Sequence, residues 1–198
     1  EFATKRGEEI GYDNVFDYSL GNPSVPVPEE FTECMIEMLK NSDPCSLHGY
    51  SPSLGIPSVR AAIAASLNER FGMNYGPEHI FMASGAAGAL AHAYRAVTKP
   101  GDEILTFAPY FPEYNPYVNL TGAVLKVVPP DTESFQINFD AFEEMLGEKV
   151  MAVLINTPNN PSGIVYSEET ILRLADILRK KEQEYGHDIF IISDEPYR

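Results

Sequence analysis

The stretch that most constrains this chain is MAVLINTPNNPSG, from Met151 to Gly163. The apolar run from Val150 to Ile155 is too short for a typical helix and is closed by turn residues, which predicts a buried strand feeding a loop. Pro158 and Pro161 each remove a backbone donor and fix φ, and each pushes its preceding residue toward extended geometry. Asn160 lies just before Pro161, so a stiff backbone presents its amide. Two readings stand here: a binding loop, or an ordinary strand-to-helix turn.

Around this stretch the pattern alternates between strand and helix periods. Helices are predicted over 29–40, 57–71, 84–98, 139–146 and from Ser167 to about Glu184, with a further one inside APYFPEYNPYVNLTG. In 57–71 the residues Val59, Ile63, Leu67 and Phe71 recur every four, and Pro57 suits a first turn. Strands are predicted over 15–20, 79–83, 103–107, 123–128, 150–155 and 188–192, and 41–54 reads as a loop. Such alternation implies an α/β fold: a mostly parallel sheet sandwiched by helices. Residues 1–45 stand apart as an N-terminal arm and part of a smaller domain, and 46–198 form the alternating body.

Charge narrows the partners. Fourteen basic residues against 29 acidic ones give −15, which disfavours nucleic acid and anionic membrane. No apolar run approaches the roughly 20 residues that span a bilayer. Cys34 and Cys45 lack CxxC spacing, which predicts reduced thiols in a cytoplasmic protein. His48, His79, His92 and His187 are scattered without ligand spacing, so no metal site is expected. The first residues, EFATKRGEEIGY, lack a signal-peptide core and an initiator Met, so the chain is expected to begin inside a longer product.

Four loops follow predicted strands: SGAAG, APYFPEY, NTPNNPSG and SDEPYR. Ligands of open α/β sheets bind outside the carboxyl ends of the strands, so all four should open on one edge. Gly85, Ala86 and Ala87 begin a helix whose free N–H groups suit a phosphate, or whose small residues serve close packing on the sheet. Phe111 is held between prolines and could stack on a planar ring, with Tyr110 as the alternative, or belong to the core. Asp194 ends an apolar strand, where an isolated carboxylate is costly unless paired. A cationic ring nitrogen would pair it, and Tyr197 could donate to the same ligand; a hydrogen-bonded turn aspartate is the other reading.

In this order, these motifs resemble the fold-type I pyridoxal-phosphate enzymes, and within them the class I/II aminotransferases. NTPNNPSG (156–163) and SDEPYR (193–198) carry the resemblance, supported by SGAAGAL (84–90), APYFPEY (108–114), HGYSPSLGIPSVR (48–60) and SLGNPSVPVP (19–28). The resemblance implies pyridoxal 5′-phosphate as cofactor, an amino acid and a 2-oxo acid as substrates, and a homodimer. By it, Asp194 holds the pyridine nitrogen protonated, Asn160 and Tyr197 hydrogen-bond the cofactor's phenolate oxygen, and Phe111 stacks on the ring. Gly85 and the backbone of Ala86 and Ala87 cradle the phosphate. Tyr50 reaches the phosphate of the partner subunit's site, and Gly21 lies where an N-terminal loop passes over the substrate.

The family's Schiff-base lysine follows the SDEPYR motif, and none of the seven lysines here stands in that context. The catalytic lysine is therefore absent from these 198 residues, which are expected to be about the first half of an enzyme and inactive alone. Ala87 also stands where many relatives carry a polar side chain, leaving that phosphate contact to the backbone. The function expected is an aminotransferase. The alternatives are a pyridoxal-phosphate-dependent C–S lyase and a non-catalytic cofactor-binding fragment or sensor domain.

Overall fold

The computed structural model describes residues 2–16 and 25–197, in two units, Glu1–Pro52 and Ser53–Arg198. The first unit opens with α1 (Phe2–Ile10), which the sequence pattern had not marked. Gly7 is its buried residue because the Tyr12 ring, on a short 3-10 turn, lies where a Cβ would stand. The predicted strand over 15–20 is not found at Val15 and Phe16, and its remainder, like Gly21, lies outside the described residues.

Helix α2 (Glu29–Asn41) follows its prediction, with Glu29 and Glu30 in the first turn and Lys40 in the last, matching the helix dipole. Phe31, Met35, Met38 and Leu39 on this helix remain exposed. The predicted loop over 41–54 contains α3 (Pro44–His48). Asp43 caps it by accepting the Ser46 N–H at 2.7 Å, and Pro44 occupies the first turn. That bond also holds the Asp43 carboxyl below its ordinary range.

In the second unit, α4 (Pro57–Phe71) has the predicted bounds, starting at its proline and stopping at left-handed Gly72. The predicted strand over 79–83 does not form. Pro77–His79 is a 3-10 turn, and the backbone after it finds other partners. The Ile80 carbonyl accepts from Arg60 Nε at 2.8 Å, and the Met82 N–H donates to Leu54 O at 3.3 Å. The short apolar run of HIFMA reads as a strand along the sequence, but a ladder also needs a neighbour.

The body then runs α5 (Gly85–Val97), β1 (Glu103–Phe107), α6 (Tyr114–Asn119), β2 (Val124–Val128), α7 (Phe139–Met145), β3 (Val150–Asn156), α8 (Glu168–Tyr185) and β4 (Phe190–Asp194). Strand β4 starts two residues later than predicted. All pairings are parallel, in the order β2-β1-β3-β4, as the alternation implied.

Strand period divides the core in two. Leu105, Phe107, Val153 and Ile155 pack with Phe142 of α7 and Leu174 and Leu178 of α8. Ile104, Ala152 and Leu154 face Leu90 and Tyr94 of α5 and Tyr114 and Val118 of α6. Burial on both faces explains why β3 reads as an unbroken apolar run.

Candidate functional site

Continuing the two-residue period of β3 through Ala152 and Leu154 places Asn156 on the α5/α6 face, at the carboxyl end of the strand. On β4 the same phase runs from Ile192 to Asp194, and the two strands pair Asn156 with Asp194 in register. Both are buried. A carboxylate and an amide therefore lie side by side where the sheet opens toward α5 and α6.

Hydrogen bonds fix this pair. Asn156 Nδ2 donates to the Asp194 backbone carbonyl at 2.9 Å, and Asn156 Oδ1 accepts the Asn160 N–H at 2.6 Å. Asp194 Oδ2 accepts the Tyr114 hydroxyl at 2.6 Å. Its other carboxylate oxygen receives no hydrogen bond among the described residues. Burial, then this bond and the Asp194 charge, push the Tyr114 phenol far above its ordinary range. Tyr94, fully buried on α5, is likewise raised by burial and then by Asp194.

The NTPNNPSG loop derives its rigidity from Asn159 rather than Asn160. Asn159 Oδ1 accepts from the Ser162 N–H at 3.0 Å and the Ser162 hydroxyl at 2.7 Å, while its Nδ2 donates to Pro109 O at 3.2 Å. Its backbone N–H donates to Ile164 O at 2.9 Å. This closed loop leaves the Asn160 side chain without a hydrogen bond among the described residues, facing a cavity.

That cavity, about 190 Å³, brings together Ala86, Ala87, Phe111, Asn160, Asp194 and Tyr197. Gly85 adjoins it as the first residue of α5, with φ +72, a backbone that disfavours any side chain. Ser84 makes no side-chain cap bond, and the Gly85 N–H donates to Ala83 O at 3.2 Å, so the uncapped amides of this helix end are those of Ala86 and Ala87. Phe111, not Tyr110, lines the cavity, and it meets Tyr114 edge-on at 5.6 Å. Tyr50 lies in the other unit, fully exposed, and Gly21 is outside the described residues. The SGAAG loop belongs to this edge although no strand precedes it.

Sequence reasoning missed Tyr114, Tyr117 and Asn156, which also line the cavity. Two signals could have found them: Asn156 is a polar residue ending an apolar strand, and Tyr114 lies one helical turn beyond Phe111 in APYFPEY. Chemically, the cavity offers an anionic floor, an aromatic wall, a free amide and a helix N-terminus. Those features suit a flat heterocycle with a protonated ring nitrogen and an anionic substituent. Among the described residues no cluster could hold a metal ion, and no helix is long and apolar enough to cross a membrane.

A parallel sheet with its polar groups gathered at the carboxyl ends of its strands is where open α/β proteins bind ligands, and the comparisons with known proteins identify the family. Residues 13–198 match the family described as aminotransferase class I and II, and the chain belongs to that family. It is 33% identical over 194 residues to an aspartate aminotransferase of Thermotoga maritima, covering 98% of this chain and 48% of that protein. It is 34% identical to a probable aspartate/prephenate aminotransferase of Aquifex aeolicus, covering 93% of this chain and 44% of that one. Among solved structures, an amino transferase from Eubacterium rectale superposes with TM-score 0.96 at 48% identity, over 99% of this chain and 50% of the other. A methionine aminotransferase of Escherichia coli superposes at 0.83 with 26% identity, over 98% of this chain and 48% of the other. The chain thus spans about half the length of these relatives.

Proposed function

We propose that the protein containing this chain is a pyridoxal-phosphate-dependent aminotransferase, moving an amino group between an L-amino acid and a 2-oxo acid. The observation that carries the reading is the convergence of Asp194, Phe111, Asn160 and the α5 N-terminus on one cavity.

The residues present fit the cofactor. A buried carboxylate with one oxygen free of hydrogen bonds among the described residues suits a pyridinium N–H, and its charge favours the proton on nitrogen. Asn160 and Tyr197 bring donors for the ring's phenolate oxygen, and Phe111 gives a flat apolar wall. Gly85 and the N–H groups of Ala86 and Ala87 receive the phosphate; a Cβ built on Gly85 would meet nothing within 4 Å, so that helix end is open. When bound, the cofactor supplies an electron sink for a carbanion at the substrate α-carbon. The chain's own part is to orient the ring, hold its charge and keep its nitrogen protonated. Tyr50 is assigned to the phosphate of the partner subunit's site in a homodimer, and Gly21 to the loop over the substrate. Residues 1–45 are assigned to the arm and small domain, and 46–198 to the cofactor-binding domain. A cytoplasmic location accords with two exposed free cysteines.

The test is to load the whole protein with pyridoxal phosphate and offer L-aspartate, L-methionine and an aromatic amino acid with 2-oxoglutarate. Glutamate formed in step with loss of the donor is the expected result. Release of ammonia and a 2-oxo acid without glutamate would instead indicate a lyase, and absence of cofactor binding would overturn the reading altogether.

A further inference from the structure

The site's floor and its aromatic wall meet at one side chain. Tyr114 is 1% exposed at the start of α6. Its hydroxyl reaches Asp194 across 80 residues of sequence, while its ring meets Phe111 edge-on at 5.6 Å and stacks on Tyr110 at 6.5 Å. Asn156 pins the Asp194 backbone but gives its carboxylate nothing. Tyr114 is thus the only hydrogen-bond donor to the carboxylate among the described residues, and the bond is short.

We infer that Tyr114 is a positioning residue of this site: by donating to Asp194 Oδ2 it turns the other oxygen to the cavity, toward a bound ring nitrogen. The inference rests on the assignment of Asp194 to the ring nitrogen given above. A carboxylate stabilised by a neutral donor attracts a shared proton less strongly. With Tyr114 in place, the proton between Asp194 and a bound ring nitrogen therefore stays on the nitrogen. Without its hydroxyl the proton moves toward the carboxylate, and the ring becomes neutral. No bond other than this N–H changes, and the charge on the pair is conserved. Tyr94 provides an internal comparison: it is a buried phenol influenced by the same charge, but with no hydrogen bond to it.

The experiment loads the whole protein with pyridoxamine 5′-phosphate carrying 15N at the ring nitrogen, and reads the 15N resonance and the cofactor affinity. Tyr114→Phe keeps the ring packing; it is expected to move the resonance toward the neutral-ring position and to weaken binding roughly tenfold. Incorporating 3-fluorotyrosine at position 114 keeps the fold and makes the phenol a stronger donor, so it should move the resonance the opposite way. Tyr94→Phe should leave both readings unchanged. If Asp194→Asn shifts the resonance while Tyr114→Phe and the fluorinated residue do not, the inference about Tyr114 is wrong. If Asp194→Asn itself changes nothing, the assignment of Asp194 fails, which is a different result.

Discussion

Neighbouring residues of one type have opposite fates in this molecule, and their partners explain why. Asn159 spends its side chain on Ser162 and Pro109, whereas Asn160 spends only its backbone N–H, on Asn156. The first holds the loop; the second is left to face the cavity. The tyrosines of the α5/α6 face divide in a similar way. Tyr114 bonds Asp194, while the hydroxyl of Tyr94 is fully buried with no hydrogen-bond partner among the described residues. Leaving such a hydroxyl unsatisfied costs about 1–3 kcal/mol. Tyr94→Phe should therefore raise stability by about 1 kcal/mol in urea unfolding. A loss of stability would show that the hydroxyl is satisfied after all.

Among the elements, α8 has both ends fixed by local chemistry. The Ser167 side chain accepts the Thr170 N–H at 3.1 Å, Glu168 and Glu169 sit in the first turn, and Gly186 closes the other end at φ +75. Leu174, Ile177 and Leu178 then anchor the helix to the sheet. Removing the cap by Ser167→Ala should cost about 1 kcal/mol. In chemical denaturation this would appear as a lower midpoint with an unchanged slope. A change in slope would mean that the helix end unfolds separately from the sheet.

For the whole molecule, burial of phenols on both faces of the sheet sets the alkaline limit. Burial raises Tyr166 to about 12, and Tyr94 and Tyr114 are raised further. Unfolded phenols ionise near 10. Above that pH the unfolded chain releases protons that the folded chain retains, so stability is complete below about 10 and is lost as pH rises toward 12 and beyond. Ultraviolet titration should show these three tyrosines ionising together with the loss of circular dichroism, after the exposed ones. Smooth ionisation of all tyrosines before unfolding would contradict the assigned burial.

The sequence by itself determined what depends on neighbours along the chain. The bounds of α4 follow from Pro57 and the four-residue recurrence, the start of α8 from Ser167, and the parallel sheet from alternating periods. It also marked Asp194, Asn160 and Phe111, because a carboxylate after an apolar strand and side chains held between prolines are locally conspicuous. What depends on partners distant in sequence was decided only in three dimensions. HIFMA reads as a strand along the sequence but found no ladder, so its backbone bonds went to Arg60 and Leu54. Tyr114 looked like any helical tyrosine until the fold brought it against a carboxylate 80 residues away, and Asn156 until β4 lay beside it in register. Periodicity and capping act over a few residues and can be read from them; a hydrogen bond between strands or helices exists only once the chain has closed.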